Sequence, residues 1–281
     1  AGMGREEEAA AQYREALRLR SDFPEAHNNL GIALLKLGRT DDAISHCREA
    51  LRLRPDFPEA YSNLGLALAA SGRKETAADA YRKALRLRPD YPEARNNLGI
   101  VLSGLGGTEE AMEQYRKALR IRPDYPEAHN NLGLALAKLG RTEEAAAQYR
   151  EALRLRPDFP EARYHLGLAL AASGRTEEAM AQYREALRLE PGYPPAHNNL
   201  GVLLSTLGRV DEAVPHYREA LRLGPDNPEV RNNLALALAA LGRTMEAEAQ
   251  YREIVRLRSD FHVIYYDAAA EVPVSTGTPV R

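Results

Sequence analysis

At 281 residues with 38 basic and 40 acidic side chains, the chain carries a formal charge of −2, too small a net field to hold nucleic acid or an anionic membrane. No apolar run is long enough to span a bilayer, and the opening Ala1-Gly2-Met3-Gly4-Arg5-Glu6 has no charged-then-apolar leader. The one cysteine, Cys47, excludes an intramolecular disulfide and fits a reducing, cytoplasmic compartment.

Residues 5–23, REEEAAAQYREALRLRSDF, return at 141–159 as RTEEAAAQYREALRLRPDF, changed only at Glu6 against Thr142 and Ser21 against Pro157. The chain is therefore expected to begin inside a repeating unit and to be a piece of a longer protein, with 1–23 an orphan second helix. Seven full units of 34 residues follow, at 24–57, 58–91, 92–125, 126–159, 160–193, 194–227 and 228–261. A unit this short cannot bury its own apolar face, so neighbours must stack.

In the second unit a helix A is predicted from Pro58 to Ser71, since proline is tolerated where its missing N–H has no partner. Ala60, Leu64, Ala67 and Leu68 form its apolar stripe, Gly65 lets a second helix approach, and Gly72 ends it in a left-handed cap. Helix B is plainest in the fourth unit. Thr142 is expected to cap it, Glu143 and Glu144 to lie in its positive first turn, and Pro157 to stop it. Its stripe is Ala145, Tyr149, Ala152 and Leu153. The tyrosines at this spacing, Tyr81 to Tyr251, read as packing, and Cys47 in the same slot as a buried, unreactive thiol.

Some units depart from this pattern. Gly104, Gly106 and Gly107 are expected to loosen the turn of the third, and Pro215 to bend helix B of the sixth. Residues 262–270 read as the start of one more A helix, a partial cap, and 271–281 as an extended tail.

These positions identify the chain as resembling the tetratricopeptide repeat family. Counting each unit from its proline, position 7 is leucine seven times, position 8 glycine six times, and position 20 always alanine. The family's usual aromatic at position 4 is replaced by His27, Tyr61, Arg95, His129, Arg163, His197 and Arg231. The resemblance implies an all-α fold, a right-handed superhelical solenoid of antiparallel helix pairs. It also implies a concave inner face made by the A helices, on which positions 2, 6, 9 and 13 form an exposed stripe.

Position 6 carries Asn29, Asn63, Asn97, Asn131, Asn199 and Asn233, with His165 in the fifth unit. A side-chain amide offers a donor and an acceptor to the backbone of an extended peptide, whatever that peptide's side chains. Position 2 adds glutamates, including Glu59, Glu93 and Glu127, and position 13 adds Lys36 and Lys138. Position 9 is always aliphatic. The ladder resembles the peptide-guiding arm of the O-linked N-acetylglucosamine transferases. Read without that resemblance, the asparagines are equally a polar surface inherited by duplication. Glutamate at position 2 excludes a clamp for a terminal carboxylate and favours neutral or basic segments.

Successive His27, His129 and His197 do not converge as metal ligands must. Arginine pairs such as Arg52/Arg54 read as helix-end charges that meet nearby glutamates. No phosphate-cradling glycine loop or nucleophile motif occurs. The expected function is a non-catalytic, cofactor-free scaffold binding extended peptide in its groove. The alternatives are the substrate arm of a larger glycosyltransferase, and a self-assembling scaffold whose groove holds its own C-terminal tail or another copy.

Overall fold

The computed structural model describes residues 2–257, together with the backbone segments 264–266 and 273–275. The chain divides into two compact units, 1–155 and 156–281. In the first, helix α1 (Gly2–Leu19) precedes four antiparallel pairs. These are α2 (Pro24–Lys36) with α3 (Thr40–Leu53), α4 (Pro58–Ala70) with α5 (Lys74–Leu87), α6 (Pro92–Gly104) with α7 (Thr108–Ile121), and α8 (Pro126–Lys138) with α9 (Thr142–Leu155). The second unit holds three pairs: α10 (Pro160–Ala172) with α11 (Thr176–Leu189), α12 (Pro194–Thr206) with α13 (Val210–Leu223), and α14 (Pro228–Ala240) with α15 (Thr244–Leu257). Within each unit every helix packs on the next, and A helices also touch A helices, as α2 on α4 and α12 on α14. The architecture is an all-α solenoid of helix pairs.

The turn between A and B helices is set by glycine. Gly72 has φ +78°, a left-handed conformation that costs other residues a Cβ clash. Its N–H donates to Ala69 O at 3.0 Å and that of Arg73 to Leu68 O at 2.9 Å, the paired bonds of a Schellman motif. The third unit makes the same turn: Gly106 has φ +90° and Gly107 N donates to Leu102 O at 3.0 Å. Its extra glycines do not loosen it. Helix α13 spans 14 residues with Pro215 inside.

Thr142 is the first helical residue rather than the cap. The helix starts one residue earlier, because Arg141 O already accepts from Ala145 N at 3.0 Å. The Arg141 side chain then reaches forward to Glu144 with two bonds of 2.7 Å. Arg175–Glu178 and Arg209–Glu212 repeat this device.

The core of most helix pairs is built on an aromatic ring packed against a glycine. Tyr81, Tyr115, Tyr149, Tyr183 and Tyr217 are each at most 3% exposed, and each ring fills the space a Cβ would take at Gly65, Gly99, Gly133, Gly167 and Gly201. Cys47 meets Gly31 in the same way, and burial pushes its thiol up to about 12.

No further A helix forms at 264–266. Ile264–Tyr266 (β1) pairs antiparallel with Pro273–Ser275 (β2), Ile264 opposite Ser275. Ile-Tyr-Tyr is a run of β-branched and aromatic residues that favours a pleated ladder. The remaining residues of the expected cap and tail lie outside the described ones.

Candidate functional site

The asparagine ladder is half-buried, and much of its hydrogen bonding is spent inside the protein. The residue before a rung, at position 5, is buried in most repeats: Asn28, Asn96, Asn130 and Asn198 are 3–9% exposed, while Tyr164 and Asn232 are half-buried. Asn63 Nδ2 donates to Asn28 Oδ1 of the preceding repeat at 2.8 Å, Asn131 to Asn96 at 2.9 Å, and Asn233 to Asn198 at 3.0 Å. Where position 5 is Tyr164, its hydroxyl accepts from Asn199 at 3.1 Å. Within a helix, Asn28, Asn96 and Asn198 also donate to the Oδ1 of Asn29, Asn97 and Asn199 at 3.3–3.4 Å.

The Asn-Asn pair is thus a clasp between neighbouring repeats, and Asn63, Asn131 and Asn233 each keep a second N–H for a ligand, whereas Asn199 also bonds Tyr183. Asn97 differs. The preceding position 5 is Ser62, which hydrogen bonds to Tyr91, and Asn97 donates to no side chain of the repeat before it. The sequence held the signal for the clasp, since both asparagines recur, but only the second fell on the expected exposed stripe.

At position 9, next to the asparagine on each A helix, four of the seven aliphatic residues are open and Ile32, Leu134 and Val202 are half-buried. Leu66, Ile100, Leu168 and Leu236 are 37–48% exposed. The glutamates, by contrast, do not present bare acid in the first unit. Arg54 pairs with Glu25 and Arg122 with Glu93, each at 2.6 Å, and Arg88 pairs with Glu59. Each of these guanidiniums also lies over the aromatic ring three residues on, Arg54 at 3.8 Å from the Phe57 centroid and Arg122 at 3.7 Å from Tyr125. Glu127, half-buried on α8, is engaged as well. A charge-neutral pair therefore replaces the acidic row expected there. Lys36 pairs with Glu6 at 2.9 Å, and Lys138 donates to Ser103 Oγ at 2.9 Å.

Position 4 explains the missing aromatic. His129 Nε2 bonds Pro123 O at 3.0 Å and its Nδ1 meets Gln148 Oε1 at 2.8 Å. Arg231 uses its guanidinium for the same two jobs on Pro225 O and Gln250. His27 and His197 instead meet His46 and His216, Nδ1 to Nδ1 at 3.0 and 3.1 Å. These histidines tie helix A to the loop before it and to its own B helix. Among the described residues no three His, Cys, Asp or Glu side chains gather as a metal site, and no helix is long and apolar enough to cross a membrane.

His165 replaces an asparagine rung. Burial pushes its imidazole down from 6.5 to about 4, with Glu161 opposing. Between those values the unfolded chain binds more protons there than the folded one. The stability present above pH 6.5 is therefore lost as pH falls toward 4. His165→Asn is expected to spare about 2 kcal/mol of the loss between pH 7 and pH 4. Urea denaturation at the two pH values checks this, and an equal drop in both proteins refutes it.

The tetratricopeptide repeat profile matches residues 1–58, 130–194 and 198–260, and a second TPR repeat profile matches 65–106 and 104–140. No curated protein matches the chain in sequence. Among solved structures, the chain is similar to one from the APC/C hetero-tetramer Cut9–Hcn1, with TM-score 0.75 and 18% identity. That match covers 84% of this chain and 46% of the other, so this chain spans less than half of that relative. It is similar to Pseudomonas aeruginosa pilF, with TM-score 0.68 and 25% identity over 73% of this chain and 93% of that one. It also resembles YrrB, a TPR protein with an unusual peptide-binding site, with TM-score 0.53 and 23% identity over 66% and 96% of the two chains. With profile matches along most of its length and the helix pairs those profiles describe, the chain belongs to the tetratricopeptide repeat family.

Proposed function

We propose that the chain is a protein-interaction scaffold that binds extended peptide along its A helices and performs no catalysis. The observation that carries this is a set of open aliphatic residues next to half-buried amides on the A helices. Leu66, Ile100, Leu168 and Leu236 offer apolar contact, while the neighbouring asparagines retain hydrogen-bonding capacity that a peptide backbone can use. The family supports a scaffold in general, and the peptide-binding site of YrrB supports the choice of ligand. The clasp bears on the resemblance to glycosyltransferase arms, because it gives the ladder a structural reason to recur without any ligand.

The test is binding to a peptide array by the wild type and by a variant carrying Asn97→Ala, Asn131→Ala and Asn199→Ala. Three lost hydrogen bonds of about 0.5–1.5 kcal/mol each are expected to weaken binding to unrelated peptides by at least about tenfold. Asn131 and Asn199 also hold neighbouring repeats, so Asn97→Ala alone is measured beside the triple variant. Undiminished binding by both, with the fold intact by circular dichroism, would refute backbone capture.

A further inference from the structure

The sixth repeat lacks the arginine found at the same position of the first four. In the first three, position 31 is Arg54, Arg88 or Arg122, lodged between a position-2 glutamate and a position-34 ring. In the sixth the same three positions are Gly224, Pro195 and Asn227. Guanidinium, carboxylate and ring are all missing, and a cleft of about 270 Å³ stands there. Tyr164, Asn199, Gly224 and Glu229 are among its walls.

The surroundings of the cleft are acidic. The fifth repeat places Glu190 where the arginine belongs, with Glu161 still at position 2. Both carboxylates, after burial and Tyr164, help raise the Tyr193 hydroxyl to about 12, and the Tyr193 ring lies 5.1 Å from that of Tyr164. Among the described residues no cation pairs with Glu161, Glu190 or Glu229, unlike Glu25, Glu59 and Glu93. Arg258 lies outside the described residues. Pro194 and Pro195 have no N–H, so the start of α12 offers no donors at its first two positions. The wall at Ala220 and Gly224 is the carbonyl end of α13, which favours a cation.

We propose that this cleft receives an arginine side chain of the bound peptide, the partner replacing the guanidinium the repeat has lost. A flat guanidinium stacks on an aromatic ring, here Tyr164, and pairs with a carboxylate through two parallel bonds, here Glu229. This rests on the peptide-binding reading above and adds a side-chain preference to it.

The test uses labelled nonamer peptides, randomised except for a central arginine, citrulline or glutamate, read by fluorescence anisotropy. Citrulline keeps the shape of arginine and loses its charge. The wild type is expected to bind the arginine set about tenfold more tightly than the citrulline set. Gly224→Arg, which restores the chain's own guanidinium, and Glu229→Gln are each expected to abolish that preference. The added side chain is tolerated at Gly224, where φ is −139° and a Cβ meets only Ala220 O at 3.7 Å. Equal affinity of the wild type for arginine and citrulline overturns the cleft and leaves the peptide reading standing. A preference that survives in both variants overturns its location. Absence of binding to every set overturns the peptide reading, and this inference with it.

Discussion

Substituting Asn28, Asn96 and Asn198 together with alanine is expected to remove roughly 3–9 kcal/mol of stability. Each residue is 3–9% exposed, and each accepts a hydrogen bond of 2.8–3.0 Å from the asparagine one repeat on. Truncation leaves that amide without its acceptor and opens a polar gap between neighbouring helices. An unmade bond at a buried site costs about 1–3 kcal/mol, and sites this far apart add. Asn97→Ala supplies the contrast, since Asn97 makes no clasp to the repeat before it. Its cost is expected to stay within about 0.5 kcal/mol. Urea denaturation followed by circular dichroism measures both, and equal midpoints for the two variants would remove the clasp from the account of stability.

Gly133→Ala is the second large effect, and its sign runs against helix propensity. Alanine in a helix is favoured over glycine by about 1 kcal/mol. Here the new Cβ would lie 2.5 Å from Tyr149 Cε1 and 2.8 Å from Cδ1. That ring is 2% exposed, so it has no free space to retreat into, and α8 and α9 must separate. Overpacking of this kind costs about 1–3 kcal/mol, for a net loss of up to about 2 kcal/mol. The seventh repeat carries Ala235 at this position and Tyr251 at the tyrosine position, both buried. Gly4→Ala is the control, because nothing lies within 4 Å of a Cβ there. It is expected to be neutral or stabilising, and a Gly133→Ala protein as stable as that control would contradict the close approach.

These two results separate what duplication preserved for packing from what is available to a partner. The asparagine at position 5 and the glycine at position 8 hold repeat to repeat and helix to helix. At position 9, Leu66, Ile100, Leu168 and Leu236 stay open. The exchange of Arg for Glu190 and Gly224 breaks the neutral pairing found in the earlier repeats. A duplicated array diverges most informatively where such a local pair is lost, since the remaining partner keeps its charge and its space.

By itself the sequence determined the helix pairs, their turns and their core. Proline at a helix start, glycine in a left-handed turn and an apolar stripe at helical spacing are local rules, and Pro58, Gly72, Leu64 and Tyr149 obey them. Only the tertiary structure decided which polar groups meet. Asn63 finds Asn28 at a separation of 35 residues, and Arg54 finds Glu25 at the far end of the same pair. Such partners depend on the rotation and offset of one helix against the next, which periodicity within a helix does not fix. For the same reason the cleft at Gly224 and Asn227 could not be read from the residues in isolation, because it is the space left by side chains that other repeats possess. The strand at 264–266 escaped as well. A short apolar run favours helix or strand according to the partner it meets, and Ile264–Tyr266 meets Pro273–Ser275.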